Sequence, residues 1–225
     1  KLGYPWAKAL YHLSYGMVNL PEGRMKSREG TVVDADDLLQ DLVDMARQEI
    51  FDKGREKEVE DVEETARSVA LGALNYYLLQ ATPSKDMIFN PKDSISFNGN
   101  TGPYLQYMGA RISSMLRKYQ ERRDQYVQGR LNPSLLKTEE ERTLIKLASS
   151  YPEVVKQAAE ELNPSILTSF LYEVSKVYSK FYHDSPILHN EDADLVVTRV
   201  ALSEIVLRIL QNTFSLLGIP FLSRM

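Results

Sequence analysis

Pro103-Tyr104-Leu105-Gln106-Tyr107-Met108-Gly109-Ala110-Arg111-Ile112-Ser113-Ser114-Met115-Leu116-Arg117-Lys118-Tyr119 decides the fold class. Its residues Tyr104, Leu105, Met108, Ile112, Met115, Leu116 and Tyr119 follow the i, i+3, i+4, i+7 spacing of a helix with one buried face. Proline in the first turn and Gly129 near the end predict one long helix over 103 to about 129. Downstream, helix starts are marked by Thr138, by Pro152, by Asn163-Pro164 as N-cap and N1, and by Glu191 or Asp192 before the apolar stripe at 195–217. Upstream, Asp34 and Asp36 cap a helix whose face is Leu38, Leu39, Leu42, Val43, Ala46 and Ile50. A second stripe, Val62, Ala66, Val69, Ala70, Ala73, Leu74, Tyr77 and Leu78, ends at Pro83.

Two regions read differently. Between Pro83 and Gly102, Met87-Ile88-Phe89 and Ile95-Ser96-Phe97 are short apolar runs bounded by Asn, Pro and Gly, which predicts extended segments joined by turns. Residues 1–33, with aromatics, short apolar runs and Gly3, Gly16, Gly23 and Gly30, read as strand and loop at the edge of a larger domain. There is no repeat period. The expected fold is mainly α, a helical bundle preceded by the end of an α/β domain of Rossmann type.

At 225 residues and 43% hydrophobic content the chain can bury a sizeable core. It has no cysteine, which excludes disulfides, thiol nucleophiles and paired-cysteine zinc sites and fits a reducing compartment such as the cytoplasm. No run of about 18 apolar residues exists, so no membrane contact is expected. The chain begins Lys1-Leu2-Gly3-Tyr4-Pro5-Trp6, neither an initiator methionine nor a signal peptide, and is expected to be a truncated piece of something longer. His12, His183 and His189 show no ligand spacing with carboxylates, and the acidic run from Asp34 to Asp41 lacks the glycine and glutamate of a calcium loop; no protein-bound metal is expected.

The net charge of −4 argues against a nucleic-acid partner until its distribution is considered. Over 34–64 there are thirteen Asp or Glu against four Lys or Arg, and the tract at 52–61 is read as a solvated connection. Over 111–130 six basic residues face only Glu121 and Asp124, a local excess that suits a polyanion. Arg117, Lys118, Arg122 and Arg123 make a possible phosphate-contact stripe, with simple solvation as the alternative. Tyr104, Tyr107 and Arg111 fall at i, i+3 and i+7 on one side of the same helix, two stacking surfaces and a guanidinium for unstacked bases. The competing reading is that both tyrosines are core residues with wet hydroxyls.

Near the start, Arg24-Met25-Lys26-Ser27-Arg28-Glu29-Gly30-Thr31-Val32-Val33 is a basic, glycine-flanked loop whose Lys26, Ser27 and Arg28 can set two cations and a hydroxyl against a triphosphate. By itself such a loop is also a common solvated turn. The stretch resembles the signature loop of class I aminoacyl-tRNA synthetases, with Arg28 in the place of the usual second lysine and Lys26 in that of methionine. Its flanks, His12-Leu13-Ser14-Tyr15-Gly16-Met17-Val18 and Gly30-Thr31-Val32-Val33, resemble the arginine-specific branch. Three further stretches resemble that branch in the same order: Phe97-Asn98-Gly99-Asn100-Thr101-Gly102-Pro103-Tyr104-Leu105-Gln106-Tyr107, then Phe181-Tyr182-His183-Asp184-Ser185-Pro186-Ile187-Leu188, then the ending from Leu217 to Arg224-Met225.

The resemblance implies three parts: the end of a class I catalytic domain over 1–33, a helical connection over 34–96 and an all-helical DALR-type anticodon-binding domain over 97–225. It implies arginine–tRNA ligation with ATP and magnesium in the full-length enzyme, with Lys26, Ser27 and Arg28 in the catalytic loop. Tyr104, Tyr107, Arg111 and Met225 would lie at the anticodon of the arginine tRNA. The piece in hand lacks the upstream nucleotide-binding motif and arginine pocket, so it is expected to bind no cofactor and to be inactive alone, working as a monomer. The rival readings are a helical protein-interaction module and a piece of another class I synthetase.

Overall fold

The computed structural model describes residues 2–21 and 34–225. It is mostly helical: α1 (Ala35–Asp52), α2 (Val62–Leu79), the single turn α3 (Pro91–Ser94), α4 (Gly102–Glu121), α5 (Glu139–Glu160), α6 (Ser165–Asp184) and α7 (Ala193–Leu217). Two short strands, β1 (Val18–Asn19) and β2 (Met87–Ile88), pair in parallel with Val18 opposite Met87. A parallel pair needs a long crossover, and α1 and α2 supply it.

Local chemistry starts these helices where side-chain oxygens can take up free N–H groups. Asp34 accepts from Asp36 N at 2.9 Å, Asp61 from Glu64 N at 3.0 Å, and Asp192 from the N–H groups of Asp194 and Leu195. Thr138 and Glu141 form a reciprocal capping box at the head of α5. Pro164, not Asn163, is the cap residue of α6, although Asn163 Oδ1 still accepts from Ser165 N at 3.2 Å.

Two buried clusters follow. In the first, Leu42, Val43, Ala46 and Ile50 of α1 meet Val69, Ala70 and Ala73 of α2, and Phe89 and Ile95 close the end. The second fills the space among α4, α5, α6 and α7 with side chains such as Met108, Ile112, Leu144, Leu171, Tyr178, Leu210 and Phe214. α4 joins the two because its N-terminus lies directly on α2. A Cβ on Gly102 would stand 2.1 Å from the Gly72 carbonyl oxygen, so only glycine allows the backbones to come this close.

After Gly218, whose φ of 66° ends α7 in the left-handed region, the chain turns back and runs along α4. This tail is fastened by side chains. Asn75 Nδ2 donates to Gly218 O at 2.7 Å, Gln106 Nε2 to Pro220 O at 2.9 Å, and Arg117 Nη1 to Ser223 O at 3.1 Å.

Three elements differ from the sequence expectation. The helix begun at Gly102 stops at Glu121 rather than near 129. A 3-10 turn at Arg123–Tyr126 follows, and Tyr126 is buried there, stacked on Tyr119 and donating its hydroxyl to Leu188 O at 2.6 Å. Pro152 starts no helix; it lies exposed inside the continuous α5. An interior proline costs about 3 kcal/mol, and the stripe Leu144, Leu147, Tyr151, Val155 and Ala158, packed on the second cluster across that point, outweighs it. Met87–Ile88 is extended as expected, whereas α3, capped by Asn90, takes up Pro91–Ser94 and the Ile95-Ser96-Phe97 run forms no strand. The first residues leave Tyr4, Trp6, Leu13 and Tyr15 exposed, with Tyr4 and Trp6 stacked on each other.

Candidate nucleic-acid interface

Three pieces of chain meet around a hollow of about 470 Å³: the connection between α1 and α2, the middle of α4, and the tail. The last turn of α6 adds Tyr182. Tyr107 lines it, half-buried, because the ring also packs on the first cluster. Arg111, one turn further along α4, donates through Nη2 to the Tyr107 hydroxyl at 3.2 Å, and its guanidinium lies 4.7 Å from the Tyr107 ring centre and 5.5 Å from that of Tyr182. Arg55 approaches the same Tyr107 ring to 5.2 Å and donates through Nη1 to Met225 O at 3.2 Å.

The lining is rich in positive charge. Arg55, Lys57, Arg111, Arg117 and Arg224 line the hollow, and Glu58 is the one acidic side chain among them. Among the described residues none of these five cations forms an ion pair with an Asp or Glu side chain. The Arg111 hydrogen bond holds the Tyr107 phenol below its usual value; partial burial opposes this and Arg55 reinforces it. Cations beside aromatic rings suit phosphates next to unstacked bases, since a guanidinium plane and a tyrosine face both stack on a base.

Of the residues picked out from sequence, Tyr107, Arg111, Arg117 and Met225 come together here. Tyr104 does not line the hollow; it packs edge-on against Tyr172 of α6, ring centres 6.2 Å apart, because that end of α4 faces the bundle. Lys118, Arg122 and Arg123 are exposed further along and outside the lining. Lys26, Ser27 and Arg28 lie outside the described residues. The tract at 52–61 is more than a solvated connection, since it delivers Arg55, Lys57 and Glu58 to the hollow.

Sequence reasoning passed over Arg55 because it sits in the most acidic part of the chain, where composition hides a single directed cation. It also missed Tyr182 as a lining residue, although its place one residue after the buried Phe181, on the rim of α6, was available as a signal. Among the described residues no group of three His, Cys, Asp or Glu is placed to hold a metal ion, and no helix is long and apolar enough to cross a membrane.

Comparison with known proteins adds family information. Residues 105–225 match the DALR anticodon binding domain, and residues 1–91 match the catalytic domain of class I (R) tRNA synthetases. The whole chain aligns with the arginine–tRNA ligase of Treponema denticola at 57% identity and with that of Bacteroides thetaiotaomicron at 46%, covering 38% of each. The chain thus spans well under half the length of these relatives. Among solved structures, the Thermus thermophilus arginyl-tRNA synthetase superposes with a TM-score of 0.85 at 31% identity, over 99% of this chain and 37% of that one. The Plasmodium falciparum arginyl-tRNA synthetase, at 19% identity and a TM-score of 0.73, covers 94% of this chain and 34% of its own, and shares the fold.

Proposed function

Because the chain belongs to the DALR anticodon binding domain family, we propose that it is part of an arginine–tRNA ligase and that the hollow beside α4 receives the anticodon loop of the arginine tRNA. The observation that carries this reading is the grouping of Arg55, Arg111, Tyr107 and Tyr182, with Arg117 and Arg224 at the rim. An anticodon loop offers what such a wall recognises, bases free of pairing with phosphates on either side.

In this reading Tyr107 and Arg111 act as a unit towards a base, Arg117 and Arg224 meet the backbone, and Met225 packs beneath them. Tyr104 supports α4 from the bundle side, and Lys118, Arg122 and Arg123 reach phosphates further along the stem. The exposed aromatics of residues 4–15 and the short parallel strand pair fit a chain that continues into a catalytic domain. There Lys26, Ser27 and Arg28 would face the phosphates of ATP, accompanied by magnesium, while arginine is activated and passed to the tRNA. The complete enzyme would work in the cytoplasm as a monomer.

The test is titration of the chain into arginine tRNA and into the same tRNA with its central anticodon base replaced, at several salt concentrations. Expected are tighter binding to the first and a log–log salt slope of about −0.7 per phosphate contact. Absence of salt-dependent binding, or equal binding to both RNAs, overturns the reading and favours a helical module that binds protein.

A further inference from the structure

Arg55 is not part of the segment that matches the anticodon-binding family; it lies in the segment that matches the catalytic domain. The connection after α1 is folded into tight turns, with Arg55 N donating to Ile50 O at 3.0 Å and Glu58 N donating to Arg55 O at 2.9 Å. From this turn the guanidinium reaches the tail at Met225 O and the ring of Tyr107 on α4. Tyr107 is therefore met by two guanidinium groups, one from its own helix and one from the connection.

We propose that Arg55 is a positioning residue of the RNA-binding hollow, which is built jointly by the α1–α2 connection and by the segment running from α4 to the tail. Arg55 fixes Met225 through a directed hydrogen bond and approaches the Tyr107 ring from the α1–α2 connection. A base entering the hollow meets Tyr107 and Arg111 in an arrangement that Arg55 maintains. The inference rests on the anticodon reading above and adds to it a residue from outside the matched domain.

A lysine would retain the charge of Arg55 but lose the planar fork that can stack on a ring and donate in a fixed direction. The experiment uses the whole 225-residue chain with Arg55→Lys, Arg55→Met and, as a control inside the hollow, Arg111→Met, each checked for an unchanged melting curve. Arginine tRNA affinity is measured across a salt series, and the Tyr107 phenol is followed by carbon NMR with ring-labelled tyrosine, assigned through Tyr107→Phe.

Expected is an affinity loss of about three- to fivefold in both Arg55 variants, the size of one cation–π or directed contact, with the salt slope unchanged. The Tyr107 phenol should titrate higher in Arg55→Met than in the parent chain, since a neighbouring cation has gone. Normal affinity in Arg55→Lys with a salt slope reduced by about 0.7 in Arg55→Met would show a phosphate contact and overturn the positioning role. If Arg111→Met weakens binding and neither Arg55 variant does, this inference fails and the anticodon reading stands. If the parent chain does not discriminate between the two RNAs, both fail together.

Discussion

Arg199 on α7 donates through Nε to Glu141 Oε1 at 2.7 Å, and the two side chains are 9% and 0% exposed. Glu141 Oε2 at the same time accepts from Lys137 N and Thr138 N, and Arg199 Nη1 reaches Pro186 O at 3.1 Å. One buried pair thus ties the head of α5, the turn after α6, and α7. Glu141→Ala would leave a buried guanidinium uncompensated and two N–H groups without their acceptor. It should cost about 3–5 kcal/mol in urea unfolding. The double variant Glu141→Leu with Arg199→Met should cost clearly less, since no charge is left behind; equal losses would show that the lost acceptor and packing, not the unpaired charge, set the cost.

Tyr107 and Tyr104 should behave differently although both sit on α4. Tyr107→Ala removes the ring that two guanidinium groups approach, and arginine tRNA affinity should fall by about 1–3 kcal/mol. Tyr107→Phe keeps the ring and loses only the Arg111 hydrogen bond, so a loss of about 0.5–1.5 kcal/mol is expected. Tyr104→Phe should leave RNA binding unchanged, because its ring packs on Tyr172 away from the hollow. Binding titrations of the three variants, with melting curves alongside, check this; a selective defect in Tyr104→Phe would relocate the site.

Arg47 donates to Glu63 through Nε and Nη2 and to Asp44 through Nη1, all at 2.6 Å. These bonds hold both carboxyls below the usual carboxylate value, the Arg47 hydrogen bond being the chief cause for each. Folded values below unfolded ones mean that the contribution is present above about pH 4 and is lost as pH falls through the folded values. Arg47→Met should therefore raise the NMR titration midpoints of Glu63 and Asp44. The stability difference from the parent should shrink below that pH. Midpoints that stay put in the variant would show that these exposed bonds do not persist in solution.

Gly102→Ala tests the close approach of α4 to α2. The added methyl meets the Gly72 backbone at 2.1 Å, and backbone cannot swing aside as a side chain can. A loss of about 1–3 kcal/mol in urea unfolding is expected, together with weaker RNA binding as α4 shifts relative to the α1–α2 connection. Unchanged stability would mean that the two helices lie further apart than described.

Much of this architecture was legible in the sequence. The apolar stripes gave the faces of α1, α2, α4 and α7, and the caps at Asp34 and Thr138 could be read because a short polar side chain before a periodic run has few other uses, while the sequence narrows the cap of α7 to Glu191 or Asp192, of which the structure uses Asp192. What escaped reading depends on tertiary context. Pro152 looks like a helix start in isolation, and only packing on both sides of it carries α5 through. α4 stops at Glu121 because Tyr126 is drawn under Tyr119 and Leu188, a contact between distant parts of the chain. The hollow was half legible. Tyr107 and Arg111 share a helix, so spacing brings them together, whereas Arg55 and Met225 are 170 residues apart and meet only in the folded chain.

The tail along α4 has a consequence for the order of folding. Its carbonyls at 218, 220, 223 and 225 are received by Asn75, Gln106, Arg117 and Arg55, side chains carried by α2, α4 and the α1–α2 connection. The four donors come together only once α2, α4 and the connection have met, so the tail is fully seated only then. Amide exchange at residues 223–225 should accordingly open at lower denaturant than exchange in the middle of α7. A partly unfolded chain would keep most of its helices while the hollow beside α4 had already come apart.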